Sequence, residues 1–180
     1  RGLVGSEMCI RDRDYKEGEK WTNQKFDLQQ LKKILMDWQT GIYEGGGWNA
    51  IFWCNHDQPR VVSRFGQDNN EEMRRRSAKT LAIVLHLLQG TPYIYQGEEI
   101  GMTDPHFQSI DQYRDVESIN AYQEMRAAGY SEREILTILG QKSRDNSRTP
   151  MQWNADENAG FTTGTPWIDL SYNYKEINVQ

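Results

Sequence analysis

Two short apolar runs, 48–54 (WNAIFWC) and 91–96 (TPYIYQ), flank one long amphipathic segment, and that order limits the folds open to the chain. The segment 71–89 places Ala78, Leu81, Ala82, Leu85 and Leu88 on one helical face and stops at Gly90. Two buried strands joined by a helix of this length are parallel, with a right-handed crossover. Another helix precedes them. From Asp27 to Gln39 the apolar positions Leu28, Leu31, Ile34, Leu35 and Trp38 follow helical spacing, with Asp27 as N-cap and Gly41 and 45–47 as the stop. Helix, strand, helix, strand is the rhythm of an α/β chain. It brings the C-terminal ends of both strands to one side, so NHDQPR (55–60) and QGEE (96–99) emerge at one face. In β/α barrels that face carries the chemistry.

Beyond Gly101 the rhythm breaks. Segments 111–128 and 132–139, the second capped by Ser131, are expected as two helices forming an excursion between regular repeats. The stretch 142–153 (KSRDNSRTPMQW) is dense in polar side chains, and 159–167 is expected as loop. Six Trp, nine Tyr and five Phe support a packed core, while a mean hydropathy of −0.85 points to a part of a larger domain. The net charge of −5, without a basic block, argues against nucleic acid as a partner, and no apolar run reaches transmembrane length. Cys9 and Cys54 offer neither a disulfide framework nor a metal pair, and the three histidines lack metal-ligand spacing, so no metal and no cofactor is expected. Residues 1–13 (RGLVGSEMCIRDR) have no periodicity and are expected to be a non-native or scar segment, leaving 14–180 for the fold.

Several residues carry possible chemistry. Asp57, with His56 before it and Arg60 after it, suits a polyhydroxylated ligand: the carboxylate accepts from vicinal hydroxyls and the imidazole donates. A capped turn explains the same residues equally well, since Asn, Asp and Pro are turn formers. Arg144, in a polar group with Asp145, Asn146 and Arg148, has the fork geometry to clamp a carboxylate such as Asp57; a loop ion pair is the simpler account. Glu98 and Glu99 are expected to be structural, accepting backbone N–H bonds or pairing with an Arg. His86 is expected as a packed helix residue, His106 as a loop residue, Arg74–Arg76 as a solvated helix face, and Cys54 as a core-side strand residue.

WNAIFWCNHDQPRVVSRFG, GTPYIYQGEEIGMT and KSRDNSRTPMQW together resemble glycoside hydrolase family 13, the alpha-amylase superfamily. The likeness runs from about Asp14 to Gln180 and is densest to its branch of oligo-1,6-glucosidases and phosphotrehalases, the latter favoured by CNHDQPR and KSRDNSRTP. The resemblance implies a fragment of a (β/α)8 barrel, with 48–54 as strand seven and 91–96 as strand eight. It also implies a retaining mechanism with an aspartate nucleophile, a glutamate acid/base and a second aspartate. Asp57 matches that second aspartate, which binds the 2- and 3-hydroxyls of the distorted sugar; His56 and Arg144 match its neighbours around the same sugar.

The family's nucleophile and acid/base sit on earlier strands. The chain alone is therefore expected to be inactive and not stably folded. For a full enzyme the implied reaction is hydrolysis of trehalose 6-phosphate to glucose and glucose 6-phosphate, in the cytoplasm, with Lys20, Lys25 and Arg60 as candidate phosphate contacts. Two alternatives stand: an oligo-1,6-glucosidase acting on neutral α-glucosides, and a noncatalytic sugar-binding remnant.

Overall fold

The structure, a computed structural model, describes residues 20–22 and 27–180. The expected scar 1–13 and Lys25 lie outside the described residues.

Helix α1 (Leu28–Glu44) starts where its cap residue dictates. Asp27 Oδ1 accepts the N–H groups of Gln29 (2.8 Å) and Gln30 (3.3 Å), two donors that a first turn leaves unpaired. The helix continues through Gly41, contrary to expectation, because one glycine weakens a helix without breaking it; it ends at Gly45. Leu31, Ile34 and Leu35 form its buried stripe.

Strands β1 (Ala50–Ile51) and β2 (Thr91–Pro92) pair in parallel, Ala50 opposite Thr91 and Ile51 opposite Pro92. Both are shorter than the apolar runs that contain them. Pro92 has no N–H to donate, and among the described residues each strand has one neighbour, so the ladder rests on a few bonds such as Tyr93 N–H to Ile51 O at 2.8 Å. Gly90 (φ +151°) makes the pairing reachable: a Cβ there would stand 2.6 Å from Asn49 O.

A short helix, α2 (Val61–Phe65), follows the NHDQPR cluster and buries Val61 and Val62; the sequence pattern did not announce it. Helix α3 (Glu71–Leu87) packs against it, with Leu85 buried and Ala78, Leu81 and Leu88 partly so. Two expectations fail on this helix. Arg74 is buried rather than solvated. Its Nη1 donates to the carbonyls of Ile100 and Gly101, both at 2.9 Å, fastening α3 to the loop after β2. His86 is exposed rather than packed, its Nδ1 2.8 Å from Ala82 O. Cys54 does face the core, its Sγ accepting Val61 N–H at 3.1 Å.

The second half is helical. The expected helix 111–128 divides into a 3-10 turn (Ile110–Gln112) and α4 (Val116–Ala127) with extended backbone between. The N–H groups of Arg114 and Asp115 go to the Asp145 carboxylate instead of into a helix. Helix α5 (Glu132–Lys142) begins in a reciprocal capping box between Ser131 and Glu134. Phe107, Tyr113, Ala121, Met125, Ile135 and Leu139 form the core between these helices and the loop after β2. No helix among the described residues is long and apolar enough to cross a membrane.

Asp104 is buried and accepts Arg60 N–H at 2.8 Å; burial pushes its carboxyl up to about 7. An acid held protonated in the fold but ionised in the unfolded chain makes stability fall as pH rises from about 4 to 7. Asp104→Asn, which keeps the acceptor, removes that share of the decline. Urea unfolding at pH 5 and pH 8 checks it; equal losses in both proteins would contradict the assignment.

Candidate active site

In the turn after β1 the cap is Asn55 rather than Asp57. Asn55 Oδ1 accepts Asp57 N–H at 2.8 Å, so Asn55 caps the turn and leaves the Asp57 carboxylate for other partners. Arg148 Nη2 donates to Asp57 Oδ1 at 3.0 Å, and Arg144 Nη1 stands 3.6 Å from the same oxygen. His56 Nε2 lies 3.3 Å from Oδ2. Arg148 Nε also donates to His56 O at 2.8 Å, tying the turn's backbone to the 144–148 segment. The His56 side chain is 72% exposed and that of Asp57 38%, so both remain open to a ligand.

Both arginines flank a 3-10 turn, Arg144–Ser147. Arg144 makes its closest bonds to Asp115 rather than to Asp57: Nη2 to Oδ1 at 2.7 Å and Nε to Oδ2 at 3.2 Å. Arg148 Nη1 lies 3.8 Å from the same Asp115 Oδ1. Burial alone would raise the Asp115 carboxyl. The Arg144 hydrogen bonds and the charges of Arg144, Arg148 and Lys20 outweigh it and hold the carboxyl below its ordinary value. The bond to Asp115 in turn raises the Arg144 guanidinium. Glu117 extends the chain of charges, 3.3 Å from Arg144 Nε and 2.6 Å from Lys20 Nζ.

The structure thus brings together Asp57, His56 and Arg144 and places Lys20 at the outer end of the same network. Arg60 is the exception. It is 1% exposed, and its guanidinium donates inward to Gln96 O (2.5 Å) and Thr149 Oγ1 (3.4 Å), so it cannot contact a ligand. A strand-end position favoured exposure, but the chain turns inward at Pro59. Glu98 is structural as expected: it accepts Tyr95 N–H at 3.4 Å, and burial pushes its carboxyl up to about 7. Among the described residues no group of three or more His, Cys, Asp or Glu is placed to hold a metal.

Sequence reasoning missed Asp115 and Glu117 and underrated Arg148. Asp115 lies 29 residues from Arg144 on a different element, and no spacing rule joins them. For Arg148 the signal was present, a second arginine one turn beyond the first. The arrangement can bind a neutral polyol through Asp57 and His56 while two guanidinium groups orient the carboxylate.

The chain belongs to the alpha-amylase catalytic-domain family, which matches residues 7–180. It is 61% identical to the trehalose-6-phosphate hydrolase of Bacillus subtilis over 93% of its own length and 29% of that protein's. It is 54% identical to the oligo-1,6-glucosidase of Parageobacillus thermoglucosidasius, over 94% and 30%. The crystal structure of Bacillus licheniformis trehalose-6-phosphate hydrolase superposes with a TM-score of 0.90 at 62% identity, covering 94% of this chain and 30% of that one. The chain therefore spans about three-tenths of the length of these relatives.

Asp115→Asn removes the charged hydrogen bonds that Arg144 makes to Asp115 and is expected to cost about 1.5–3 kcal/mol at neutral pH, the range for hydrogen bonds to charged groups. A depressed carboxyl contributes fully above its ordinary value of 3.8 and loses that contribution as pH falls through the folded value. Urea unfolding should therefore show the gap between the two proteins narrowing as pH falls below 3.8.

Proposed function

We propose that the protein carrying this chain is a retaining glycosidase that hydrolyses trehalose 6-phosphate to glucose and glucose 6-phosphate in the cytoplasm, where phosphorylated sugars are handled. The observation that carries the reading is the carboxylate of Asp57, presented in the turn after β1 beside His56 and oriented by two arginines. A sugar ring passing to an oxocarbenium-like transition state needs hydrogen bonds at its 2- and 3-hydroxyls that strengthen as positive charge develops. Asp57 accepts from those hydroxyls, and its negative charge favours the cationic ring. His56 donates to the same sugar from the open side. Arg144 and Arg148 hold Asp57 in its orientation, so no reorganisation is required when charge appears.

In this reading β1 and β2 are the seventh and eighth strands of the barrel. The nucleophilic aspartate and the acid/base glutamate come from earlier strands, and residues 1–180 alone turn over no glucoside. Lys20 is the candidate phosphate contact; it would exchange part of its Glu117 pair for a substrate dianion. Arg60 is withdrawn from that role by its burial.

The 54% identity to an oligo-1,6-glucosidase supports a second reading, hydrolysis of neutral α-1,6-glucosides. Steady-state rates of the full-length protein on trehalose 6-phosphate and on isomaltose separate the two. Preference for the phosphorylated disaccharide, weakened by Lys20→Met mainly through KM, is the expected result; preference for isomaltose overturns it. Binding of either sugar without hydrolysis would favour the noncatalytic alternative. Asp57→Asn is expected to lower kcat by about 10²–10³-fold, the scale on which a transition-state electrostatic contact acts, while leaving the fold intact by circular dichroism.

A further inference from the structure

The 144–147 turn does more than present two arginines. Its second residue, Asp145, is fully buried, and one of its oxygens, Oδ2, accepts two consecutive backbone N–H groups, Arg114 at 2.7 Å and Asp115 at 2.8 Å. Those amides belong to the extended step before α4, the point from which the Asp115 side chain departs. Asp115 then returns two bonds to Arg144, the residue before Asp145 in the chain. The path closes on itself: Asp145 to the 114–115 backbone, Asp115 carboxylate to Arg144, Arg144 back to Asp145 through one peptide. A second strut runs beside it. Ser143 Oγ receives Asp145 N–H at 3.1 Å and shares a 2.7 Å bond with Ser118 Oγ, near the start of α4.

Chemistry explains why a carboxylate stands there. Two N–H dipoles converge on one oxygen, and a carboxylate oxygen has the lone pairs to accept both. A helix beginning at Tyr113 would point Asp115 elsewhere. We infer that Asp145 is a positioning residue for the site: by gripping the backbone of Arg114 and Asp115 it fixes where the Asp115 carboxylate stands, and with it the bearing of Arg144 and Arg148 on Asp57. Asp145 touches neither Asp57 nor a ligand; its effect passes through Asp115. The activity consequence rests on the glycosidase reading above, whereas the geometric one does not.

The test uses the full-length protein with Asp145→Ala, Asp145→Asn, Asp115→Asn and the Asp145→Ala/Asp115→Asn pair, assayed on p-nitrophenyl α-glucoside. Asp145→Ala is expected to lower kcat/KM about 10- to 100-fold, the scale of a small misplacement of a binding group. Asp145→Asn, which retains an acceptor oxygen, recovers part of that loss. In the Asp115→Asn background Asp145→Ala should add little, because coupled residues are non-additive. Full additivity, or an unchanged kcat/KM in folded Asp145→Ala, overturns the inference. A crystal structure of Asp145→Ala, or of Asp145→Leu, which fills the site without an acceptor, if alanine prevents folding, decides the geometry without turnover. Displacement of Asp115 from Arg144 supports the inference, and an undisturbed Asp115–Arg144–Asp57 array refutes it. A wild-type protein that hydrolyses no glucoside would sink the glycosidase reading while this structural comparison still settles the role of Asp145.

Discussion

One buried cation, Arg60, holds together the three segments from which the site is made. Its backbone N–H bonds the Asp104 carboxylate, and its guanidinium bonds Gln96 O at the end of the second apolar run and Thr149 Oγ1 beyond the arginine-bearing turn. Taking a guanidinium out of water is costly unless its donors are received. Burial pulls the Arg60 guanidinium below its ordinary value. The Tyr95 ring beneath it, 5.4 Å from Cζ, adds a further favourable contact. Because Arg60 lies three residues after Asp57, whatever fixes Arg60 also fixes the turn that presents Asp57.

On that frame the site is an alternation of charges. Asp57, Arg144, Asp115, Arg148, Glu117 and Lys20 stand so that each carboxylate meets a cation and each cation a carboxylate. Exposed pairs of this kind contribute little to stability one at a time. Their value here is placement: Asp115, with its side chain largely buried, anchors the network, and Asp57, at the more exposed end, faces outward. Lys20, paired with Glu117, stands at the far end of that chain of charges.

Much of this was legible in the sequence, and the limits have physical causes. The Asp27 cap and the Ser131 capping box are local signals and placed the starts of α1 and α5. The parallel pairing followed from a helix joining two apolar runs. The extent of the strands did not follow, because ladder length depends on neighbours that a single apolar run does not reveal. The division of 111–128 was hidden for a related reason: a side chain 30 residues away, Asp145, competes for the amide of Asp115. Asp57, His56 and Arg144, singled out from residue type and family likeness, do stand together. Arg60 was misjudged because type alone cannot tell an arginine that reaches out from one that folds in. Asp115 was missed because it acts on a group far away in sequence.

The Asp57 carboxylate, oriented by Arg148 and Arg144, is expected to receive the hydroxyls of a glucosyl ring. A crystal structure of the full-length protein with a bound glucose-configured inhibitor tests it directly. The account predicts both oxygens of Asp57 within about 3 Å of adjacent ring hydroxyls, the range of ordinary O–H···O bonds, with His56 on the same ring and the arginines still in place. A ring bound elsewhere, with Asp57 turned wholly into its arginine contacts, would contradict it.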